Sequence, residues 1–526
     1  MSWYNETSFY HIYPLGLLNA PKENDYHTIT HRVNDLYPWI DHIHTLGFSG
    51  LYIGPLFESV GHGYETTDYF KVDGRLGDNN DLKELVRYCH DKDIKVILDG
   101  VFNHTGRDFF AFKDILTYRE NSIYRNWYNV NFYSNNSYND GLSYENWGGY
   151  DLLVKLNLHN EDTVNYLLDA VSFWIKEFDI DGLRLDAADV LDFDFMKKLR
   201  RHTSNIKEDF WLMGEVIHGE YNRWVNGDTL HSVTNYQLHK AFYSGMNDHN
   251  FFEIAHTVNR FTGNNNLSLY NFLDNHDVER ISSKLNNRNH YLPVSIMLYT
   301  LPGIPSMYYG SEFGIEGRKY RGGSDDEIRP SLNIEDYKNS LKDNPYTQII
   351  NTLGNFHKGN MILAYGSYKQ LELQTGFYSY ERCLDNEKIY VFLSNQDNSH
   401  KFYINEDKTY YGLISQKEYV PHDNTIEVDL EGNSGEILFI RDKDYSSYKI
   451  EKIETRKEEK EKEENHKDLN YSNPVNKSYE EMSVEELQQS ILYKMSLNGE
   501  VTDQMKKTVY ENVYRDSLLN WVKSFR

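Results

Sequence analysis

The sequence predicts an α/β chain: a (β/α)8 TIM barrel with a loop insertion after strand 3, then a C-terminal antiparallel β-sandwich domain and a helical tail. Three observations predict it. Between residues 9 and 309, short apolar, β-rich runs alternate with helical runs, as in proteins built on a parallel sheet. Charged residues cluster just after several of these runs, where the mouth of a barrel would be. After Gly354 the pattern changes to short β segments separated by polar turns, the mark of an antiparallel sheet.

The first strand candidate is Phe9–Pro14. A helix carrying Leu36, Ile40, Ile43 and Leu46 leads to the second, Gly50–Gly54. Asp78 is a good N-cap for a helix with Leu82, Leu85, Val86 and Cys89 on one face, which runs into Ile94–Val101. Residues 104–153, rich in Tyr, Asn, Trp and Gly, are too long for a plain connection and read as an insertion walling one side of a cleft. A helix over Asn160–Phe178 feeds Ile180–Asp186. Phe210–Glu215, Ser232–Tyr236, Leu267–Leu273 and Ile304–Tyr309 complete eight strands, so the barrel occupies residues 1–354. Leu371–Leu373, Ile389–Phe392, Thr425–Val428 and Ile437–Ile440 place the β-sandwich within 355–442. Residues 443–475 read as a charged linker that buries little. In 476–526, Ser483 and Glu486 form a capping-box pattern, and Val484, Leu487, Ile491, Leu492 and Met495 share a face. Gly499 ends that helix and Thr502 starts another, a helical hairpin that docks on its own chain or receives a partner.

Of 526 residues, 39% are hydrophobic and 15% aromatic, including 44 Tyr. That supports a large core and many rings able to stack on flat ligands. The net charge of −25 argues against nucleic acid and against an anionic membrane surface, but is indifferent to a neutral ligand. Cys89 and Cys383 are far apart, fit a reducing compartment and give no metal-ligand spacing. The first residues show no signal-peptide pattern, and no stretch is apolar enough to span a membrane, so the expected location is cytoplasmic.

The chemistry lies after the strands. Asp99, Asn103 and His104 follow the third; Arg184 and Asp186 the fourth; Glu215 the fifth; Asp274, Asn275, His276 and Asp277 the seventh. No Cys/His set suggests zinc, no glycine-rich loop suggests phosphate, and no serine sits in a nucleophile elbow. Paired carboxylates among aromatic residues on an acidic chain point to glycoside chemistry, which needs one carboxyl protonated and another ionised in one pocket. Two residues apart on a strand, Arg184 and Asp186 share a face, so Arg184 is expected to keep Asp186 ionised. Glu215 has no cation next to it in sequence and is expected to be the acid.

Four stretches, DGVFNHTG (99–106), DGLRLDAAD (181–189), LMGEV (212–216) and FLDNHD (272–277), resemble the ordered signature regions of the α-amylase family, glycoside hydrolase family 13. Residues 61–86 and GIPSMYYGSEFG (303–314) resemble flanking parts of the same family. The resemblance covers about residues 7–442 and leaves out the tail. It implies a retaining mechanism with Asp186 as nucleophile, Glu215 as general acid and then base, and Asp277 binding and distorting the reacting sugar. It implies that Arg184 supports the nucleophile, that His104 and His276 bind hydroxyls, and that Tyr64 is the platform under that sugar. Asp325 and Arg329, in SDDEIRP, resemble the pair that holds the next sugar.

LVKLN (153–157) is similar to the auxiliary motif of neopullulanases, cyclomaltodextrinases and maltogenic amylases. Those enzymes usually begin with an extra β domain, whereas this chain enters its barrel by residue 9, so their dimer-based selectivity is not expected here. Many α-amylases place Lys-His three and four residues after the nucleophile and hold a structural calcium there. Here Asp189 and Val190 stand at those positions, so no metal and no cofactor is expected. The implied activity is cleavage of α-1,4 bonds, with α-1,6 bonds open, in maltodextrins, cyclodextrins or starch fragments. The alternatives are a glucanotransferase or isomerase on the same barrel, and a non-catalytic scaffold. The expected partner is a neutral α-glucan oligosaccharide, with oligomeric state left open.

Overall fold

The computed structural model describes residues 2–262, 267–320, 322–441, 443, 487–488 and 490–492. The chain divides into a unit Met1–Tyr448 and a unit Lys449–Arg526. In the second unit the described residues are helical. The rest of the expected linker and hairpin lies outside the described residues.

Eight parallel strands form the centre of the first unit: β1 (Phe9–Ile12), β2 (Gly50–Ile53), β3 (Lys95–Gly100), β4 (Gly182–Leu185), β5 (Trp211–Gly214), β6 (Ser232–Val233), β7 (Tyr270–Phe272) and β8 (Ile304–Tyr308). They lie in the order β6-β5-β4-β3-β2-β1-β8-β7. A parallel bridge between Thr234 and Tyr270 joins the two ends and closes the barrel. Closure removes the free edges that an open sheet would leave unpaired.

The helices follow the apolar spacing. The helix α1 (Tyr37–Thr45) buries Trp39, Ile40 and Ile43. Next, α2 (Asn79–His90) buries Leu82, Leu85, Val86 and Cys89, and Asp78 caps it in a capping box with Asp81. Asn160 caps α3 (Glu161–Phe178), and Asp192 caps α4 (Phe193–Ile206). The alternation lapses once. Only a 3-10 turn, Tyr221–Arg223, lies between β5 and β6. That stretch holds Gly219 and Gly227 and has no helical apolar stripe; Tyr221, Trp224 and Leu230 are buried there singly instead.

Inside the barrel, Phe9, Tyr52, Ile97, Trp211, Met213, Tyr270, Phe272 and Ile304 form their own apolar cluster. Trp211 stacks on Phe9 at 5.1 Å. Gly182 makes room for β5, since a Cβ there would lie 2.6 Å from the Trp211 carbonyl oxygen. The strands bury both faces, which explains their continuous apolar runs. Period-two alternation along β4 then carries Arg184 inward, in register with Asp99 of β3.

Residues 104–155 carry a helix, Phe110–Tyr118, and three small antiparallel pairings. Beyond the barrel, β9 (Ser367–Leu373), β10 (Phe377–Leu384) and β11 (Glu387–Ser394) belong to a six-stranded antiparallel sheet. His400–Asn405 and Thr425–Leu430 form a separate pair, and Phe402, Ile426 and Val428 pack with Tyr390 and Phe392 in one apolar cluster. Arg382 ties this sheet to the barrel by donating to the carbonyls of Thr300 at 2.7 Å and Leu363 at 2.9 Å. Among the described residues no helix is long and apolar enough to cross a membrane.

Candidate active site

The strand ends bring their polar residues to one cleft of about 1610 Å³. Its lining includes Tyr64, His104, Asp186, Glu215, Asp277, Asp325 and Arg329. Arg184 and His276 lie against these residues and are almost fully buried. Every site residue expected from the sequence therefore falls in or directly beneath one cavity.

Arg184 is the hub. One terminal nitrogen donates to Asp99 Oδ1 and to Asp186 Oδ1, each at 2.8 Å. The other lies 2.8 Å from Glu215 Oε2. Arg184 thus reaches Glu215 as well as Asp186, although no cation adjoins Glu215 in sequence. The fifth strand lies in register beside the fourth, so one inward guanidinium spans both strand ends, a proximity that sequence distance conceals.

Burial pushes the Asp186 carboxyl well above the usual carboxylate range, Arg184 pulls it back, and the Glu215 and Asp99 carboxylates add to the rise. For Arg184, burial alone would weaken its hold on its proton, but Asp99 and Glu215 outweigh that and keep it charged. Arg184 thus opposes burial at Asp186 from the same guanidinium that meets Glu215. Arg184 acts on Asp186 in the expected direction, toward the ionised form, but burial with the two neighbouring carboxylates outweighs it.

Glu215 is held from several sides. The Ala187 N–H donates to Oε2 at 3.0 Å, from a residue at φ +47°, and the Tyr236 hydroxyl donates to Oε1 at 3.3 Å. Asn275 donates to the Tyr236 oxygen at 3.1 Å, while Asn275 Oδ1 accepts the Asp277 N–H at 2.8 Å. A polar chain thus joins Glu215 to Asp277. Asp99 plays the matching part beneath Arg184, where its Oδ2 also accepts from Tyr52 at 3.0 Å and Tyr64 at 3.1 Å.

Asp277 lies 2.9 Å from His276 Nε2 and 2.9 Å from Arg329. Burial alone would raise its carboxyl; His276, Arg329 and Arg184 outweigh burial and hold it well below the usual range. Arg329 also meets Asp325 at 3.1 Å, so it braces both acids. His104 is buried, its Nε2 has no protein partner, and burial lowers its pKa to about 3, so it offers a neutral ring nitrogen at the cleft.

Sequence reading passed over Tyr236, Asn275 and Asp99 as supports. The last two stand inside quoted motifs, but their partners come from other strands. Among the described residues, the cluster able to share a cation is His31, Asp78 and Asp81, outside the cleft. There Asp78 and Asp81 are engaged in capping α2. Asp189, at the position considered for calcium, gives its N–H to the Glu215 carbonyl oxygen.

The chain matches the family model "Alpha amylase, catalytic domain" over residues 34–348. It is 30% identical over 466 residues to a cyclomaltodextrinase of Thermoanaerobacter pseudethanolicus, covering 83% of this chain and 78% of that protein. It is 28% identical over 468 residues to neopullulanase 2 of Thermoactinomyces vulgaris, again covering 83% and 78%. A solved cyclomaltodextrinase structure superposes with a TM-score of 0.73 at 26% identity, covering 83% of this chain and 78% of that one.

Proposed function

We propose, for a chain that belongs to the α-amylase family of glycoside hydrolases, cleavage of α-1,4 bonds in maltodextrins or cyclodextrins with retention at the anomeric carbon. The observation that carries this reading is the pair Asp186 and Glu215, each 2.8 Å from the same guanidinium in an aromatic-lined cleft. One guanidinium favours the short carboxyl separation of retaining enzymes, about 5–5.5 Å, over the wider gap that must admit a water.

In the first step Glu215 gives its proton to the glycosidic oxygen while an Asp186 oxygen attacks the anomeric carbon. The glycosidic C–O bond breaks, the leaving sugar departs with the proton, and a glycosyl ester forms on Asp186. In the second step Glu215 takes a proton from water, whose oxygen attacks the same carbon and releases Asp186. Two inversions give net retention. Asp277 and His276 hold hydroxyls of the reacting sugar, His104 accepts from another, and Tyr64 lies beneath its ring. Asp325 and Arg329 hold the next unit, and Arg329 also orients Asp277. The names of the relatives extend the candidate substrates to cyclodextrins and pullulan.

The test is a product profile on maltotriose, pullulan, β-cyclodextrin, panose and starch. Release of short reducing sugars supports hydrolysis. Products longer than the substrate at high maltotriose would mean transfer, and no release from any α-glucan would overturn the enzyme reading.

A further inference from the structure

The insertion carries a feature that the reaction does not use. Asn146–Trp147 and the strand Tyr150–Lys155 pair antiparallel, with Trp147 directly opposite Tyr150 across Gly148 and Gly149. Both glycines have positive φ, +64° and +85°, as a two-residue hairpin of this hand requires. Opposed residues of a hairpin project from the same face. The two rings accordingly lie nearly parallel, 21° apart, with centroids 6.5 Å from one another.

These rings are not core. Trp147 is 38% exposed and Tyr150 64% exposed, and both line the catalytic cleft. Water gains nothing from a large apolar ring held in the open, so the arrangement suits a ligand with an apolar face. The tip is braced: Asn146 accepts the Gly149 N–H at 3.0 Å and donates to Asp151 at 2.8 Å, while Asp151 accepts from Ser137. A braced ring loses little freedom when it binds.

The rings also lead away from the reaction centre. The His104 ring, 1% exposed, has its centroid 5.9 Å from that of Trp147. The series His104, Trp147, Tyr150 runs from the buried end of the cleft to solvent, in steps on the scale of one pyranose ring. Other exposed rings of the insertion, such as Tyr133, are not part of the cleft lining.

We propose that Trp147 and Tyr150 form a stacking platform for glucose units outside the reacting pair, and so set a preference for longer α-glucans over maltotriose. This rests on the reading of the cleft as an α-glucan site. The occupant is the continuation of the bound glucan, because the platform is continuous with the cavity that holds the carboxylates. The apolar face of each sugar lies on a ring while its hydroxyls stay in water, so the platform selects length without reading sequence or linkage.

The test is the ratio of kcat/KM for maltoheptaose to that for maltotriose in the wild type, in a Trp147→Ala, Tyr150→Ala double variant and in a Trp147→Phe, Tyr150→Phe double variant. The ratio cancels any loss of folded enzyme. We expect it to fall about tenfold in the alanine variant and to return to within about twofold of wild type in the phenylalanine variant. An alanine variant whose ratio matches the wild type, while cleaving both sugars, overturns the platform. A wild type that cleaves neither sugar overturns the glucan reading itself, and the platform with it.

Discussion

Arg184 approaches Glu215 as closely as it approaches Asp186, 2.8 Å in each case, through its two terminal nitrogens. A planar guanidinium can hold two carboxylates at a fixed spacing; an ammonium is a single point charge and cannot. Arg184→Lys should therefore lower kcat on maltotriose by about 10²–10³-fold, with its circular dichroism unchanged. A variant with near wild-type kcat would show that the fork does not set the geometry.

Glu215→Gln removes the proposed proton donor and leaves the shape. On maltotriose it should cost at least about 10³-fold in kcat/KM. With an α-glycosyl fluoride, whose leaving group needs little protonation, the loss in the first step should be far smaller. Equal losses on both substrates would argue against an acid role.

Tyr236 touches Glu215 Oε1 at 3.3 Å and is itself held by Asn275 at 3.1 Å. Its hydroxyl can donate to the carboxylate or accept from the acid, the two forms that one cycle requires. Tyr236→Phe should lower kcat about tenfold with KM little changed, and Asn275→Ala should do the same. A change confined to KM would make Tyr236 a binding residue instead.

Four histidines, three buried and His231 half-buried, should make the fold acid-sensitive. Burial lowers the pKa of His104 and His231 to about 3, and that of His239 and His357 to about 4, against an ordinary value of 6.5. The unfolded chain thus binds more protons than the folded one below pH 6.5. Stability is lost as pH falls from there toward the folded values, by on the order of 2 kcal/mol per histidine at pH 5. His357, remote from the carboxylates, gives the cleanest test. The melting temperature of the wild type should drop between pH 7 and pH 5, and His357→Gln should reduce that drop.

The elements that were legible owe it to physics with a short range in sequence. The eight barrel strands stood out because strands buried on both faces are largely apolar. Asp78 marked a helix start because a cap is a local device. The carboxylates stood out because charge at the end of an apolar run has few structural uses. What stayed hidden depends on neighbours across the sheet. Sequence spacing ties Arg184 to Asp186 but says nothing of Glu215, which arrives from the next strand. Tyr236 follows a two-residue strand and looks like any aromatic. Trp147 and Tyr150 sit in a polar, glycine-rich stretch whose hairpin register aligns their rings.

The central claim is that Asp186 becomes covalently bound to sugar while Glu215 moves the proton. A 5-fluoro-α-glucosyl fluoride slows release of such an intermediate enough to trap it. Digestion and mass analysis should find the glycosyl label on the peptide containing Asp186, at the Asp186 side chain. A label on Glu215 or Asp277, or turnover with no trapped ester and inverted product, would contradict the account.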